Sequence, residues 1–305
     1  QSSKFISGFT NEVNKVKTNR KDVIIFGDHT KEFKYINFDF CIGADGVKIL
    51  EPINELNTKY LYYFFQTVYL PNVGYSRHFK FLKETEIPLP PLSQQKAIAA
   101  QLDKAQELVQ YNEQLIEKYD ELQQSLFLDM FGDPVINEKG WEMVEFEDIL
   151  SLKRGYDLSM SNRNLDGNID VYGSNGILSK HDSYKVDSPI IITGRSGTIG
   201  KVFISNDKCW PLNTTLYSYK TNENNIIYLS FLMRFFRLER FSHGVGVPTL
   251  DRNIVHKEKL PKIPLALQND FAQKIDSIEI QKEQAKEALA KSKDIFQGLL
   301  QEHFF

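Results

Sequence analysis

Ile87-Pro-Leu-Pro-Pro-Leu-Ser-Gln-Gln95 reappears in degraded form as Leu260-Pro-Lys-Ile-Pro-Leu-Ala-Leu-Gln268. The likeness extends without a gap from Lys83–Phe131 to His256–Phe304, 173 residues later. Ile98 falls on Phe271, Leu102 on Ile275, Leu126 on Leu299 and Phe131 on Phe304. Solenoid repeats run about 20–50 residues, so a period this long describes a duplicated module, two copies about a pseudo-two-fold axis. Proteins built that way commonly read two half-sites on a two-fold-like ligand, and duplex DNA is the commonest such ligand.

The prolines force an extended entry, since they cannot continue a helix. After them the period changes. Ile98, Leu102, Ala105, Val109, Asn112, Ile116, Tyr119, Leu122 and Leu126 recur at alternating steps of four and three, the heptad signature of a coiled coil or long bundle helix. Phe271, Ile275, Ile278, Lys282, Ala285, Leu289, Ser292, Ile295 and Leu299 repeat those steps. Ser93 is the expected N-cap of the first helix, and Gly132 with Pro134 its stop. Each helix is expected to span about 35 residues, roughly 50 Å. The polar seam positions Asn112, Lys282 and Ser292 are suited to fixing register. Matched helices, one after each module, are expected to pack antiparallel and join the modules. The competing arrangement is two surface helices, each packed on its own domain.

A chain of 305 residues allows about two domains on a prior of roughly 150 residues each. No run of about 18 apolar residues is present to span a bilayer, and the opening residues lack a signal-peptide pattern, so a cytoplasmic protein with no membrane partner is expected. Cys41 and Cys209 fall at matching points of the two copies. Equivalent points in separate domains lie apart, so a disulfide is not expected and a reducing compartment fits. Without a C-x-x-C pair, and with six scattered histidines, no metal site is expected. The net charge is −3, which argues against a surface coated with phosphate-binding lysines. Residues 88–139 hold 4 Lys+Arg against 9 Asp+Glu, and residues 263–305 hold 5 against 7. Residues 1–87 hold 12 against 10 and residues 140–262 hold 16 against 14. The acid therefore sits in the repeated segments, and the blocks between them are mildly basic, enough to permit a local anion-binding surface.

Those blocks read as mixed α/β. In the second, a short amphipathic stretch at Trp141–Leu152 leads through Gly-, Asn- and Ser-rich loops to a strand at Pro189–Thr193, the turn Gly194–Lys201 and a strand at Val202–Ile204. A strand at Asn213–Tyr219 and a helix at Ile226–Arg237 follow. The first block echoes this order, with strands at Asp22–Phe26, Tyr35–Phe38 and Gly46–Leu50 around the turn Gly27–Thr30, then a helix at Thr58–Val68. Matching Ile24 to Ile190 leaves no counterpart of Trp141, so the first module is expected to be short of roughly 30 residues at its start.

Enzymatic motifs find no anchor. Gly194–Lys201 has five residues between Gly194 and Gly200 and Val202 after the lysine, so it is not a P-loop, and it does not satisfy G-x-G-x-x-G. No nucleophile elbow and no H-E-x-x-H helix occur. Binding chemistry is better represented. Arg195, Ser196, Thr198 and Lys201 place a guanidinium, hydroxyls, an ammonium and glycine N–H groups on one tight turn, suited to phosphate oxygens or a guanine edge. The competing reading is a β-turn with a solvated arginine, or one paired to Asp207. The loop Ser242–Arg252 adds His243, Thr249 and Arg252, and Arg154–Arg163 adds Arg154, Tyr156, Asn162 and Arg163. In the first block the corresponding donors are Arg77, His78 and Lys80 in the stretch Gly74–Lys80, with His29, Thr30 and Lys31 on the earlier turn.

Taken together, Gly140-Trp141, the Ser196-Gly-Thr-Ile-Gly200 turn, the helix starts Tyr60-Leu61 and Tyr228-Leu229, and the proline–glutamine signature before a heptad helix resemble the specificity subunit of Type I restriction–modification systems. The likeness covers essentially the whole chain, and the short first module is its departure. The resemblance implies a non-catalytic subunit of mixed α/β fold, with two pseudo-symmetric target-recognition domains joined by two long antiparallel helices that form a coiled-coil spacer. On this chain those parts are 1–87 (first domain, incomplete at its start), 88–139 (first spacer helix and linker), 140–262 (second domain) and 263–305 (second spacer helix). It further implies a bipartite, asymmetric site on duplex DNA, two modification (methyltransferase) subunits, and restriction (ATP-dependent endonuclease) subunits for cleavage. S-adenosylmethionine and ATP then belong to those partners, and no cofactor is expected here. The alternative is a coiled-coil protein–protein adaptor that does not read DNA, favoured by the acidic helices.

Overall fold

The computed structural model describes residues 8–12, 16, 22–43, 46–53, 55–71, 77–244 and 246–305. The order of elements is β1 (Val23–Gly27), β2 (Phe33–Ile36), β3 (Val47–Leu50), α1 (Thr58–Thr67), α2 (Phe79–Leu82) and α3 (Leu92–Phe131). Then come β4 (Met143–Glu145), α4 (Phe146–Ile149), β5 (Ser151–Arg154), β6 (Ile169–Gly173), β7 (Gly176–His181), β8 (Ile190–Gly194) and β9 (Val202–Ser205). The chain closes with β10 (Cys209–Pro211), β11 (Thr215–Lys220), α5 (Ile226–Phe236), β12 (Ser242–His243), β13 (Thr249–Leu250), α6 (Arg252–Val255), β14 (Lys259–Pro261) and α7 (Leu265–Phe304). It divides into two compact units, unit 1 from residues 1–115 with 284–305 and unit 2 from residues 116–283. Among the described residues no helix is long and apolar enough to cross a membrane.

Unit 1 holds an antiparallel sheet ordered β2-β1-β3. The apolar strand β1 takes the centre, and α1 packs on it through Leu61, Phe64 and Phe65 around Ile24 and Phe26. Asn57 caps α1, its side chain accepting from Tyr60 N, as a short polar residue before an apolar-periodic run should. Unit 2 repeats this plan in a sheet ordered β5-β11-β8-β9. Here β8 pairs with β9 and β11 as β1 pairs with β2 and β3, and Asn225 caps α5 by accepting from Ile227 N and Tyr228 N. The expected strands and module helices are therefore present, with ends moved by up to two residues.

Two features of unit 2 differ from expectation. Trp141–Leu152 is not one amphipathic stretch: it is β4, the short α4 and the start of β5, with Phe146, Ile149, Leu150 and Leu152 buried in the core. The supposed loop after it contains the hairpin β6–β7, with β10 alongside β6. Asn175-Gly176 at its turn is a strong hairpin signal, flanked by the apolar residues Val171, Tyr172, Ile177 and Leu178.

The two long helices contain 40 residues each, about 60 Å at 1.5 Å per residue. The first begins at Leu92, so Ser93 lies inside its first turn and not at the N-cap. It stops after Phe131, where Gly132 takes φ 77°. Within unit 1, Ile98, Leu102, Ala105 and Val109 pack with Phe296 and Leu300, and His303 meets Gln101 while Asn112 donates to Ser292 Oγ at 3.3 Å. Within unit 2, Phe127 packs on Phe271, Gln123 donates to Glu279 at 2.7 Å and Lys282 pairs with Asp120. In both units the partner number falls as the first rises, so the two helix segments of each unit run antiparallel.

The heptad seam needs one correction. Leu122 and Ile295 are 49% and 54% exposed, and Gln123, Phe127, Phe296 and Leu300 are buried in their stead. Ile116, Leu126, Ile278, Leu289 and Leu299 are half-buried, at the margin of the seam. An α-helix drifts about 20° per heptad against a strict 3.5-residue repeat, so after three heptads the buried face has moved by one residue. It does so at equivalent places in both helices.

One side chain ties each module to its long helix. Gln95 accepts from Asn57 N at 2.8 Å and donates to Pro90 O at 2.8 Å. Gln268 accepts from Asn225 N at 2.9 Å and donates to Ile263 O at 2.9 Å. Tyr60 lies against Phe304, and Tyr228 against Phe131.

Candidate nucleic-acid interface

The glycine turn of unit 2 joins β8 to β9. At Gly194 a Cβ would meet Thr198 O at 1.7 Å, and Gly197 takes φ 87°, so glycine is required at both places for the chain to fold back on itself. Thr214 O accepts from Arg195 N and Ser196 N at 2.8 and 3.1 Å, Pro248 O accepts from Gly197 N at 3.0 Å, and Arg195 O accepts from Leu250 N at 2.8 Å. Ser196 bridges Thr249. The turn is thus clamped between the loop before β11 and the loop before α6.

Through the same loops it reaches the end of β5. Asn213 N donates to Tyr156 O at 2.9 Å, Asn213 Nδ2 donates to Asp157, and Arg154 pairs with Asp157 at 3.1 Å. From the other side Lys201 Nζ donates to Asn175 Oδ1 at 2.6 Å, which brings the β6–β7 hairpin tip alongside. Three stretches that are far apart in sequence, Arg154–Asp157, Arg195–Lys201 and Pro248–Arg252 with His243 paired to Thr249, therefore meet on one surface. Ser174, Asn175 and Asn213 join them, residues that the sequence reading did not name.

The candidate side chains are unequal in availability. Arg154, Lys201, His243 and Asn162 are exposed, and Arg195, Ser196, Thr198, Thr249 and Arg252 are half-buried. Arg195 donates to Asn213 O at 3.3 Å and, among the described residues, makes no ion pair with Asp207. Tyr156 is committed inward: its hydroxyl lies 3.1 Å from that of Tyr217 with the rings stacked. Burial, together with that bond, raises the Tyr217 hydroxyl pKa, keeping it protonated. Arg163 donates to Leu158 O at 3.3 Å, and no described hydrogen bond links Asn162 or Arg163 to the glycine turn.

Unit 1 builds a corresponding corner. Its turn Gly27–Lys31 carries His29, Thr30 and Lys31, with Lys31 at φ 61° and its Nζ donating to Leu70 O at 3.3 Å. Asp28 is buried: its carboxylate accepts from Phe79 N at 2.7 Å and its carbonyl accepts from His78 N at 3.1 Å, as Arg195 O accepts from Leu250 N in unit 2. This draws Arg77 and Lys80, both exposed, beside the turn. His78 is a correction. Its ring is 1% exposed with Nδ1 2.9 Å from Asp28 O, so it supports the turn from inside and offers no surface to a ligand. Gly74, Tyr75 and Ser76 of this stretch, and Val245 of the unit 2 loop, lie outside the described residues.

Among the described residues no three His, Cys, Asp or Glu side chains gather as metal ligands, and Cys41 and Cys209 are both free thiols. Burial pushes the Cys209 thiol pKa up, away from a reactive thiolate.

Solved chains of known proteins share this fold. The S subunit of a Type-I restriction-modification system from M. genitalium superposes with a TM-score of 0.62 at 19% identity, over 96% of this chain and 84% of that one. A chain solved in work on complex assembly and conformational transition of the type I R-M system gives 0.60 at 16% identity, over 93% and 81%. The family model described as "Type I restriction modification DNA specificity domain" matches residues 1–119 and 138–291. With most of its length matched, the chain belongs to the family of type I restriction modification DNA specificity domains.

Proposed function

We propose that this chain is the non-catalytic targeting subunit of a type I restriction–modification complex, that each unit reads one half of a split, asymmetric duplex DNA site, and that the two long helices form an antiparallel coiled-coil spacer. The observation that carries this reading is the division between frame and loops. Gln95 and Gln268 accept from the matching backbone groups Asn57 N and Asn225 N, and Tyr60 lies against Phe304 as Tyr228 lies against Phe131. The loops they support, Asp28–Lys31 with Arg77–Lys80 and Arg195–Lys201 with Thr249–Arg252, share position but not sequence. Variable readers on a repeated frame suit two different half-sites.

In unit 2 the proposed reading set is Arg195, Ser196, Thr198 and Lys201, flanked by Arg154, His243, Thr249 and Arg252 and extended by Ser174 and Asn175. In unit 1 it is Arg77 and Lys80 with His29, Thr30 and Lys31. Arg and Asn suit base edges in the major groove, whereas Ser, Thr and Lys suit phosphates. Methylation and ATP-driven cleavage are assigned to two modification subunits and to restriction subunits, so S-adenosylmethionine and ATP bind there. The test is selection from a random duplex library by the subunit assembled with its modification partner. A split motif with a fixed spacer is expected, and deletion of one heptad from both helices should change the spacer and leave both half-sites intact. Failure to enrich any split motif would sink this reading and favour a protein–protein adaptor.

A further inference from the structure

The β6–β7 hairpin has a fixed base and an exposed end. At the base Val171 and Tyr172 are buried, β10 pairs with β6, Tyr172 O accepts from Leu212 N at 2.9 Å, and the Phe203 ring lies against Gly176. Beyond the turn, Ile177 and Leu178 are adjacent, aliphatic and 59% and 61% exposed. Successive residues of a strand face opposite sides, so one of two such neighbours is ordinarily covered. The register accounts for the difference: Tyr172 stands opposite Ile177 and Val171 opposite Ser179, which makes Leu178 the extra residue of a β-bulge. A bulge re-aims a side chain and increases the local twist.

The Lys201–Asn175 bond at 2.6 Å holds the hairpin turn against the glycine turn, so the aliphatic pair continues the surface proposed to read DNA. That bond takes one lone pair of Asn175 Oδ1 and leaves Nδ2 to donate. From Gly173 to His181 the ribbon contains no Asp or Glu, and Lys180 neutralises Asp170 of the paired strand at 2.6 Å, so its end does not repel a polyanion. A two-stranded ribbon is also a shape that the major groove of B-DNA admits. An aliphatic side chain finds one specific apolar partner there, the 5-methyl group of thymine, and the same A·T pair offers adenine N7 and N6 to an amide such as that of Asn175.

We infer that Ile177 and Leu178 read thymine methyl groups in the major groove, so that the half-site of unit 2 contains an A·T pair recognised through its methyl. This inference rests on the reading of the chain as a DNA-targeting subunit and deepens it by naming the chemistry that is read. Contact withdraws the methyl and the two side chains from water together, and burial of one methyl-sized group is worth about threefold to fivefold in affinity. The methyl separates thymine from cytosine without a hydrogen bond, a discrimination that the charged donors Arg195 and Lys201 do not supply.

The test uses the chain assembled with its modification subunit, on the duplex selected from the random library. Each thymine of the site is replaced singly by deoxyuridine, which removes the 5-methyl group and keeps every hydrogen-bonding group. A loss of about threefold to fivefold per methyl is expected, confined to thymines of one half-site. In the chain carrying Ile177→Ala and Leu178→Ala the same replacements should cost nothing further, and thymines of the other half-site should behave as before. Both side chains are exposed, so the variant should melt with the parent chain, and the deoxyuridine scan of the parent chain is decisive whatever the variant does. If a split motif is enriched but no replacement weakens binding, or the loss persists undiminished in the variant, the inference is overturned and the targeting reading stands. A wedge inserted in the minor groove, which meets no 5-methyl group, would give that result. Weakened assembly with the modification subunit in place of an effect on DNA would make the pair a protein contact and overturn it equally. If no split motif is enriched, the targeting reading itself falls and the inference falls with it.

Discussion

Replacing Gln268 by leucine tests the lock that joins a module to its long helix. The side chain is 1% exposed and makes three bonds: it accepts from Asn225 N, and it donates to Ile263 O and to Asn224 Oδ1 at 2.7 Å. Leucine keeps the volume and makes none of them. Ile263 lies in the core, so its carbonyl loses its partner where water does not reach, and the N–H that begins α5 loses its acceptor. Each orphaned group costs about 1–3 kcal/mol, and added apolar burial returns about 1 kcal/mol. The expected loss is about 2–4 kcal/mol. For a unit of this size that lowers Tm by about 5–15 °C. Gln95→Leu should give a loss of similar size in unit 1, since Gln95 bonds Asn57 N, Glu55 O and Pro90 O. Because two units need not melt as one transition, the assay is hydrogen exchange resolved by segment, supported by calorimetry. Destabilisation under about 1 kcal/mol at either glutamine would refute the argument that these bonds hold the proline entry to the module.

Tyr60→Phe should cost about 0.5–1.5 kcal/mol in urea denaturation, because its hydroxyl donates to Pro88 O at 3.0 Å. Tyr228→Phe should be neutral or stabilising, since the buried Tyr228 hydroxyl meets no hydrogen-bond partner among the described residues; a loss like that at Tyr60 would contradict this. His256 Nε2 accepts from Leu152 N at 2.9 Å and so must be unprotonated there, and burial lowers its pKa, only partly opposed by Glu147. The folded state then favours neutral imidazole: its contribution is complete above the unfolded pKa of about 6.5 and is lost as pH falls below it. His256→Gln should flatten the fall in stability between pH 7 and pH 5, and an unchanged profile would remove His256 from that account. Arg195→Ala, assayed in the assembled complex, should cost about 1–3 kcal/mol and relax one half-site if it touches a base. If it touches phosphate, affinity should fall for all sequences and the salt slope should lessen by about one. A lower Tm with unchanged affinity and sequence preference would take the turn out of the DNA site.

The duplication, the long helices and the strand–turn–strand with its glycines were legible in the sequence because each is a local property. Prolines end one period and start another, heptads declare a helix within a few turns, and Gly194 and Gly197 mark a turn that other residues cannot make. The resemblance carried by Ile87–Gln95 and its copy extended that local reading to the family. Tertiary structure decided what depends on contacts distant in sequence. The seam moved from Leu122 to Gln123 and from Ile295 to Phe296 because 3.6 residues per turn do not match a 3.5-residue repeat, an error that grows only along a long packed helix. His78 looked like a donor among basic neighbours and turned inward because the buried Asp28 turn needed its backbone and ring. Arg154, Asn175, Arg195 and Thr249 meet because sheet pairing folds four loops together. No periodicity in the chain encodes that meeting; it follows from which strand edges pair and which side chains are buried.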